Sequence, residues 1–172
     1  MKTRLLLTMA MVLVCAVSFG KKKQQRQEVF PDGTPIPAWF SDTTKVDIDK
    51  LGKKYVITDY GVANFSDEVQ TSRIQAVIDR AANEGGGVIV IPRGTFTSGS
   101  LFFKQGTHLY LETGAELKGS DRIRHFEILK TRMEGQTLQY FAALVNADGV
   151  NGFTIAGKGT INGNGFNYWE EF

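Results

Sequence analysis

Cysteine is nearly missing: the one residue, Cys15, lies in an apolar run close to the start, and the remaining chain has none. A disulfide framework, a thiolate metal site and a cysteine nucleophile are therefore excluded from everything after it. An excess of one charge is missing too. Lys2 and Arg4 account for the surplus of 20 basic over 18 acidic residues, and the rest of the chain balances. Nucleic-acid binding calls for a basic surplus and recognition motifs, and neither is found. Lys21-Lys22-Lys23 and Arg26 form the one basic run, which reads as a solvated, flexible segment. No apolar stretch approaches the roughly 20 residues that cross a bilayer. Leu5–Val17 is shorter, follows a basic start and precedes Ser18-Phe19-Gly20, so residues 1–20 read as a signal peptide. No other membrane association is expected, and the product is expected in the periplasm or outside the cell. Val14, next to Cys15, is too bulky for a good lipoprotein processing site.

Proline is scarce as well. Three of the 4 prolines fall between Val29 and Phe40, which marks residues 21–40 as an extended lead segment with a turn at Asp32-Gly33. Trp39 and Phe40 are expected to anchor it against the body, residues 41–172. What the chain has in quantity is glycine, 19 residues, with 42% hydrophobic content, as a turn-rich β fold requires. The stretch Gly85–Gly99 sets a pattern: Val88 and Val90 alternate, then Phe96 precedes the small Ser98. Leu109, Leu111, Leu117 and Gly119 repeat it, as do Phe153, Ile155, Ile161 and Gly163. The first two copies lie about 21 residues apart and the third about twice that further on, so one intervening copy is expected to be degraded.

Period-2 alternation says strand, and glycine punctuation says tight turn. Short strands recurring with no helix between copies fit a parallel β-helix, whose inward residues stack into ladders. An antiparallel meander or sandwich also has short strands and turns, and stays open at this point. A strand is expected over Lys53–Asp59, with Val56 and Thr58 on one face. One helix is expected over Ser66–Ala82, capped by Ser66, with Asp67 and Glu68 in its first turn and an apolar face of Ile74, Val77, Ile78 and Ala81. Its expected task is to cover the open apolar end of the first coil. The segment Asp121–Tyr140 breaks the spacing and reads as an insertion, with coiling resuming at Ala142–Val145.

At this point the residues resemble a known family. DYGVANFSDEVQTSRIQAVIDRAANEGGGVIVIPRGTF, GSLFFKQGTHLYLETGAELKGS and FTIAGKGTINGNGFNYW look like the N-terminal third of family 28 glycoside hydrolases, the polygalacturonase group. FPDGTPIPAWF and EGQTLQYFAALVNA look like versions from pectin-degrading bacteria. The resemblance implies an all-β, right-handed parallel β-helix of the pectate-lyase-like kind, here with its N-terminal coils and one capping helix. It also implies inverting hydrolysis of a pectic, galacturonan-like polysaccharide, with no cofactor. Inversion needs two carboxyl groups about 6.5–9.5 Å apart. The family carries these in an Asn-Thr-Asp motif and an Asp-Asp pair, supported by Gly-His-Gly and Arg-Ile-Lys, and none of the four occurs here. Arg122-Ile123-Arg124 is similar to the last, but lies ahead of where a catalytic motif belongs. No catalytic, cofactor-binding or metal-binding residue is therefore named, and the chain is expected to be a fragment, inactive alone.

The carboxylates left to weigh are Asp59, Asp67, Asp121 and Asp148, each with a turn or cap explanation. His108 alternates with Leu109 and is expected to face outward at the surface. Gly157-Lys158-Gly159-Thr160 lacks both the frame of a phosphate loop and, with Asn162, the third glycine of a dinucleotide fingerprint, so its glycines read as coil corners. A polysaccharide lyase on the same scaffold would use a base and calcium, and no acidic cluster on a coil face marks it. A non-catalytic sugar-binding β-helix module is the third possibility.

Overall fold

The computed structural model describes residues 28–170, with side chains to Tyr168. The signal-peptide expectation for residues 1–20 falls outside them. The described residues divide into two compact units, 28–44 and 45–170. In the first, Asp32-Gly33 makes the expected turn: Gly33 has φ 86° and donates to Phe30 O at 2.8 Å, while Asp32 Oδ1 accepts from Thr34 N at 2.9 Å. Trp39 and Phe40 stack on each other with centroids 4.0 Å apart.

In the second unit, strands line up in parallel columns. β1 (Lys54–Val56), β2 (Gly87–Ile91), β5 (Thr107–Leu111) and β10 (Ile155–Gly157) form one column. β3 (Gly94–Ser98), β6 (Ala115–Gly119) and β11 (Thr160–Asn162) form another, and β4 (Leu101–Phe102) pairs with β9 (Val145–Asn146) in a short third. Every pairing between coils is parallel. The chain is a right-handed parallel β-helix, and the meander and sandwich alternatives fall away.

Stacking places Tyr55, Ile89, Leu109 and Ile155 in one inward row and Phe96, Leu117 and Ile161 in another. The Phe96 row has the expected register. The first column does not: Ile89 and Ile91, rather than Val88 and Val90, sit on Leu109 and Leu111, and Ile155 and Gly157 continue the pair. Corner length causes the slip. The corner Pro92-Arg93 is one residue shorter than Glu112–Gly114, which shifts register between the columns and moves every side chain to the other face. At the third corner, Lys158 N and Gly159 N both donate to Leu111 O, at 3.0 and 3.2 Å, which tightens it further. Gly157 there has φ 113°, and a Cβ on it would stand 1.9 Å from Leu111 O.

No coil is missing. Ile161 lies directly on Leu117, and the extra length is an insertion within one coil. Its core is the antiparallel hairpin of β7 (Ile128–Met133) and β8 (Gln136–Phe141). Glu134 and Gly135, at φ 49° and 82°, form a turn whose twist suits a two-residue hairpin. Ala142 N donates to Glu127 O at 2.7 Å, so the hairpin leaves and rejoins the coil at one point.

Helix α1 (Thr71–Asn83) buries Ile74, Val77, Ile78 and Ala81 in the core cluster with Tyr55, Ile57, Ile89 and Phe96. Burial of Ile74, Val77 and Ile78 contributes about 1.5–3 kcal/mol each. The expected apolar face is right, but the start is not. Ser66 bridges to Phe96, and its Oγ accepts from Glu68 N at 3.1 Å, forming a turn. Gln70 N donates to Thr97 O at 2.9 Å, while the Gln70 amide group both donates to and accepts from the Ala63 backbone. These bonds hold residues 66–70 outside the helix, and Asp67 and Glu68 with them. The expected strand over Lys53–Asp59 is shorter: β1 ends at Val56 and Ile57–Tyr60 forms a tight turn, with Tyr55 and Ile57 buried and Val56 and Thr58 half-buried.

Candidate functional site

The four aspartates do not converge. Asp59 lies in the tight turn Ile57–Tyr60, Asp67 in the approach to α1, Asp121 at the root of the hairpin insertion and Asp148 in the turn before Gly149. All four are exposed. Asn167 Nδ2 donates to Asp121 Oδ2 at 3.4 Å, and Arg122 Nε stands 4.0 Å from Oδ1. Arg122 and Arg124 line a cleft of about 410 Å3 with Asp121 and Asn167. Among the described residues, no group of three or more His, Cys, Asp or Glu is placed to hold a metal.

The carboxylates with the most partners were not singled out in the sequence. Glu84, just past α1, accepts from Lys53 Nζ at 2.6 Å, Arg80 Nε at 2.8 Å and Tyr55 OH at 2.9 Å. These bonds, that from Lys53 foremost, hold its carboxyl down at about 2. A carboxylate so occupied is a poor base, and its work is to tie β1 to the end of α1. Glu116 joins three coils: Oε2 accepts from Thr95 Oγ1 at 3.0 Å and Oε1 from Asn162 Nδ2 at 2.8 Å. The Asn162 bond, then that from Thr95, lowers its carboxyl below the usual range. Register sets Thr95 directly opposite Glu116, while Asn162 lies two residues along the strand from Thr160, which faces Glu116 on the other side, and reaches it diagonally.

The two histidines are not free surface groups. His108 sits on the outward row beside the buried Val88, and is half-buried with its Nδ1 enclosed and unpartnered. Burial lowers its pKa. The turn Ile48–Leu51 packs on β2, the strand next to that of His108, on which Val88 pairs with His108. His125 Nδ1 lies 2.6 Å from Ser120 Oγ. Ser120 is only 1% exposed, so that hydroxyl is out of reach as a nucleophile and serves to fix the turn entering the insertion. Gly157 and Gly159 stand at a coil corner, as expected, where side chains would meet the backbone of the coil above.

The described geometry is thus that of a scaffold: stacked coils, a covered first end and no pair of carboxyl groups facing one another. No family model matches the chain. Over an alignment of 146 positions that covers 80% of its length, it is 32% identical to an exo-poly-alpha-D-galacturonosidase of Dickeya chrysanthemi. It spans 24% of that protein. Among solved structures, a family 28 exopolygalacturonase of Yersinia enterocolitica superposes with a TM-score of 0.60 at 29% identity, covering 66% of this chain and 21% of that one. A hyperthermoactive exopolygalacturonase of Thermotoga maritima gives a TM-score of 0.60 at 22% identity, covering 64% of this chain and 25% of that one. The likeness to family 28 glycoside hydrolases read from the sequence is borne out, over about a quarter of the relatives' length.

Proposed function

We propose that this chain supplies the first coils of a glycoside hydrolase of the polygalacturonase type, acting on pectic, galacturonan-like polysaccharide with inversion. The observation that supports this most is the identity to an exo-poly-alpha-D-galacturonosidase running through an alignment of 146 positions, together with coils that stack as in the solved exopolygalacturonases. Inversion needs an acid and a base about 6.5–9.5 Å apart with room for water between them. Asp59, Asp67, Asp121 and Asp148 stand on separate turns, and Glu84 and Glu116 are already engaged. The chain's own contribution is a rigid platform, and by itself it hydrolyses nothing.

The basic start, apolar run and small residues at 1–20 support export to the periplasm or beyond, where such a polymer is met. On this reading residues 21–40 lead into the β-helix body at 41–172. The test is release of reducing ends from polygalacturonate by the purified chain and by the longest reading frame that encodes it. The expected result is none from the chain and galacturonate from the longer product. Activity of the chain alone overturns the scaffold reading. An unsaturated product assigns a lyase instead, and inactivity of the longer product on polygalacturonate overturns the substrate class.

A further inference from the structure

The outward side of the first strand column carries a groove of about 370 Å3, lined by Lys45, Val46, Tyr110 and residues 155–158. Register builds it. The outward row reads Val56, Val90, Tyr110 and Ala156 from coil to coil. Val90 is buried, whereas the step from Tyr110 to Ala156 goes from a large ring to a single methyl group. The partly exposed Tyr110 ring therefore has an open flank, with Val46 and Ala156 giving an apolar surround. Lys45 and Lys158 stand at its margin, and neither forms an ion pair among the described residues. No acidic side chain lines the groove. The nearby Asp49 is held by Lys54 at 2.5 Å.

We propose that this groove is a surface binding site for an acidic sugar chain. The face of a sugar ring that bears only C–H bonds suits the negative face of the Tyr110 ring. Carboxylates on neighbouring sugars suit the two unpaired ammonium groups, through contacts that are exposed and so weaken with salt. Such a site holds the polymer against the scaffold and raises its local concentration. Choosing a galacturonate chain over other uronate chains rests on the function proposed above. The groove's preference for an acidic over a neutral polymer rests on Lys45, Lys158 and Tyr110 alone.

Affinity electrophoresis of the purified chain in native gels tests this, with polygalacturonate in one gel and neutral galactan in another. Polygalacturonate is expected to retard the chain at low salt, and galactan is not. Tyr110→Ala is expected to weaken retardation about tenfold, the loss of one aromatic contact with its buried area. Lys45→Gln with Lys158→Gln is expected to weaken it several-fold and to flatten its salt dependence, while Tyr110→Phe preserves it. Equal retardation in both gels, no retardation at all, or full retardation of Tyr110→Ala or of the double lysine variant overturns the site. Retardation by polygalacturonate with no hydrolysis by the longer product leaves the site standing and removes the enzymatic reading. Hydrolysis by that product, with no retardation of the chain, does the reverse.

Discussion

Replacing Leu117 by alanine removes the middle member of the inward row that runs from Phe96 to Ile161. Leu117 is 0% exposed, as is Phe96 above it, so the deleted atoms leave an enclosed void between two coils. Substitutions of this kind cost about 2–5 kcal/mol, the transfer term plus the cavity term. Ile161 belongs to the same row but is 41% exposed. For Ile161→Ala the transfer term of about 1.5–3 kcal/mol shrinks in proportion to about 1–2, and no enclosed cavity adds to it. Urea unfolding of the purified chain reads the difference. With a slope of about 1–3 kcal/mol/M, Leu117→Ala is expected to lower the midpoint by about 1 M or more at unchanged slope, and Ile161→Ala by about half as much or less. A cost for Ile161→Ala equal to that of Leu117→Ala refutes an open row at Ile161. Small effects from both refute the register itself.

Two further perturbations probe what holds the coils and what merely hangs from them. Glu84 has its carboxyl lowered from 4.5 to about 2 by Lys53, Arg80 and Tyr55, so its contribution to stability is present above the unfolded value and is lost as pH falls through the folded one. The gap in unfolding midpoint between the native chain and Glu84→Gln is expected to close on acidification from pH 4.5 to about 2, and a gap that widens there contradicts the assignment. Replacing residues 129–140 by Asn-Gly turns the hairpin into a two-residue turn between Ile128 and Phe141, which already face each other. Since Ala142 N bonds Glu127 O, the shortened chain is expected to keep its circular dichroism and cooperative melting, and loss of cooperativity would show that the hairpin carries part of the core.

The parts of the fold that could be read from the sequence were those set by local spacing. Phe96, Leu117 and Ile161 are in register because each stands two residues before the small residue that closes its copy of the pattern, Ser98, Gly119 and Gly163, and the apolar face of α1 follows from its helical period. The first column slipped because register there depends on how many residues turn the corner, and Pro92-Arg93 and Glu112–Gly114 differ by one. The supposed lost coil arose from a coincidence of length. An insertion about as long as one repeat leaves the same gap in sequence as a degraded repeat, and only the pairing of Ile161 with Leu117 tells them apart.

The start of α1 is set by distant partners for a related reason. Ser66 has the chemistry of a cap, but Gln70 bonds to Ala63 and Thr97, and partners so far along the chain outbid a local preference. The same holds for function. Glu84 draws on Lys53 and Tyr55 across about 30 residues, and the groove at Tyr110 draws on Lys45 and Lys158, none of which forms a motif. In a solenoid the residues that meet on an outer face are one coil apart rather than adjacent. Coil length, corner length and insertion length must all be known before such a site can be seen. The chemistry of this chain lies in columns read across the coils, where Thr95, Glu116 and Asn162 already act as one unit. A site on the outer face is therefore built from single residues contributed by successive coils, and a change of one residue in a corner would dismantle it without touching any of its members.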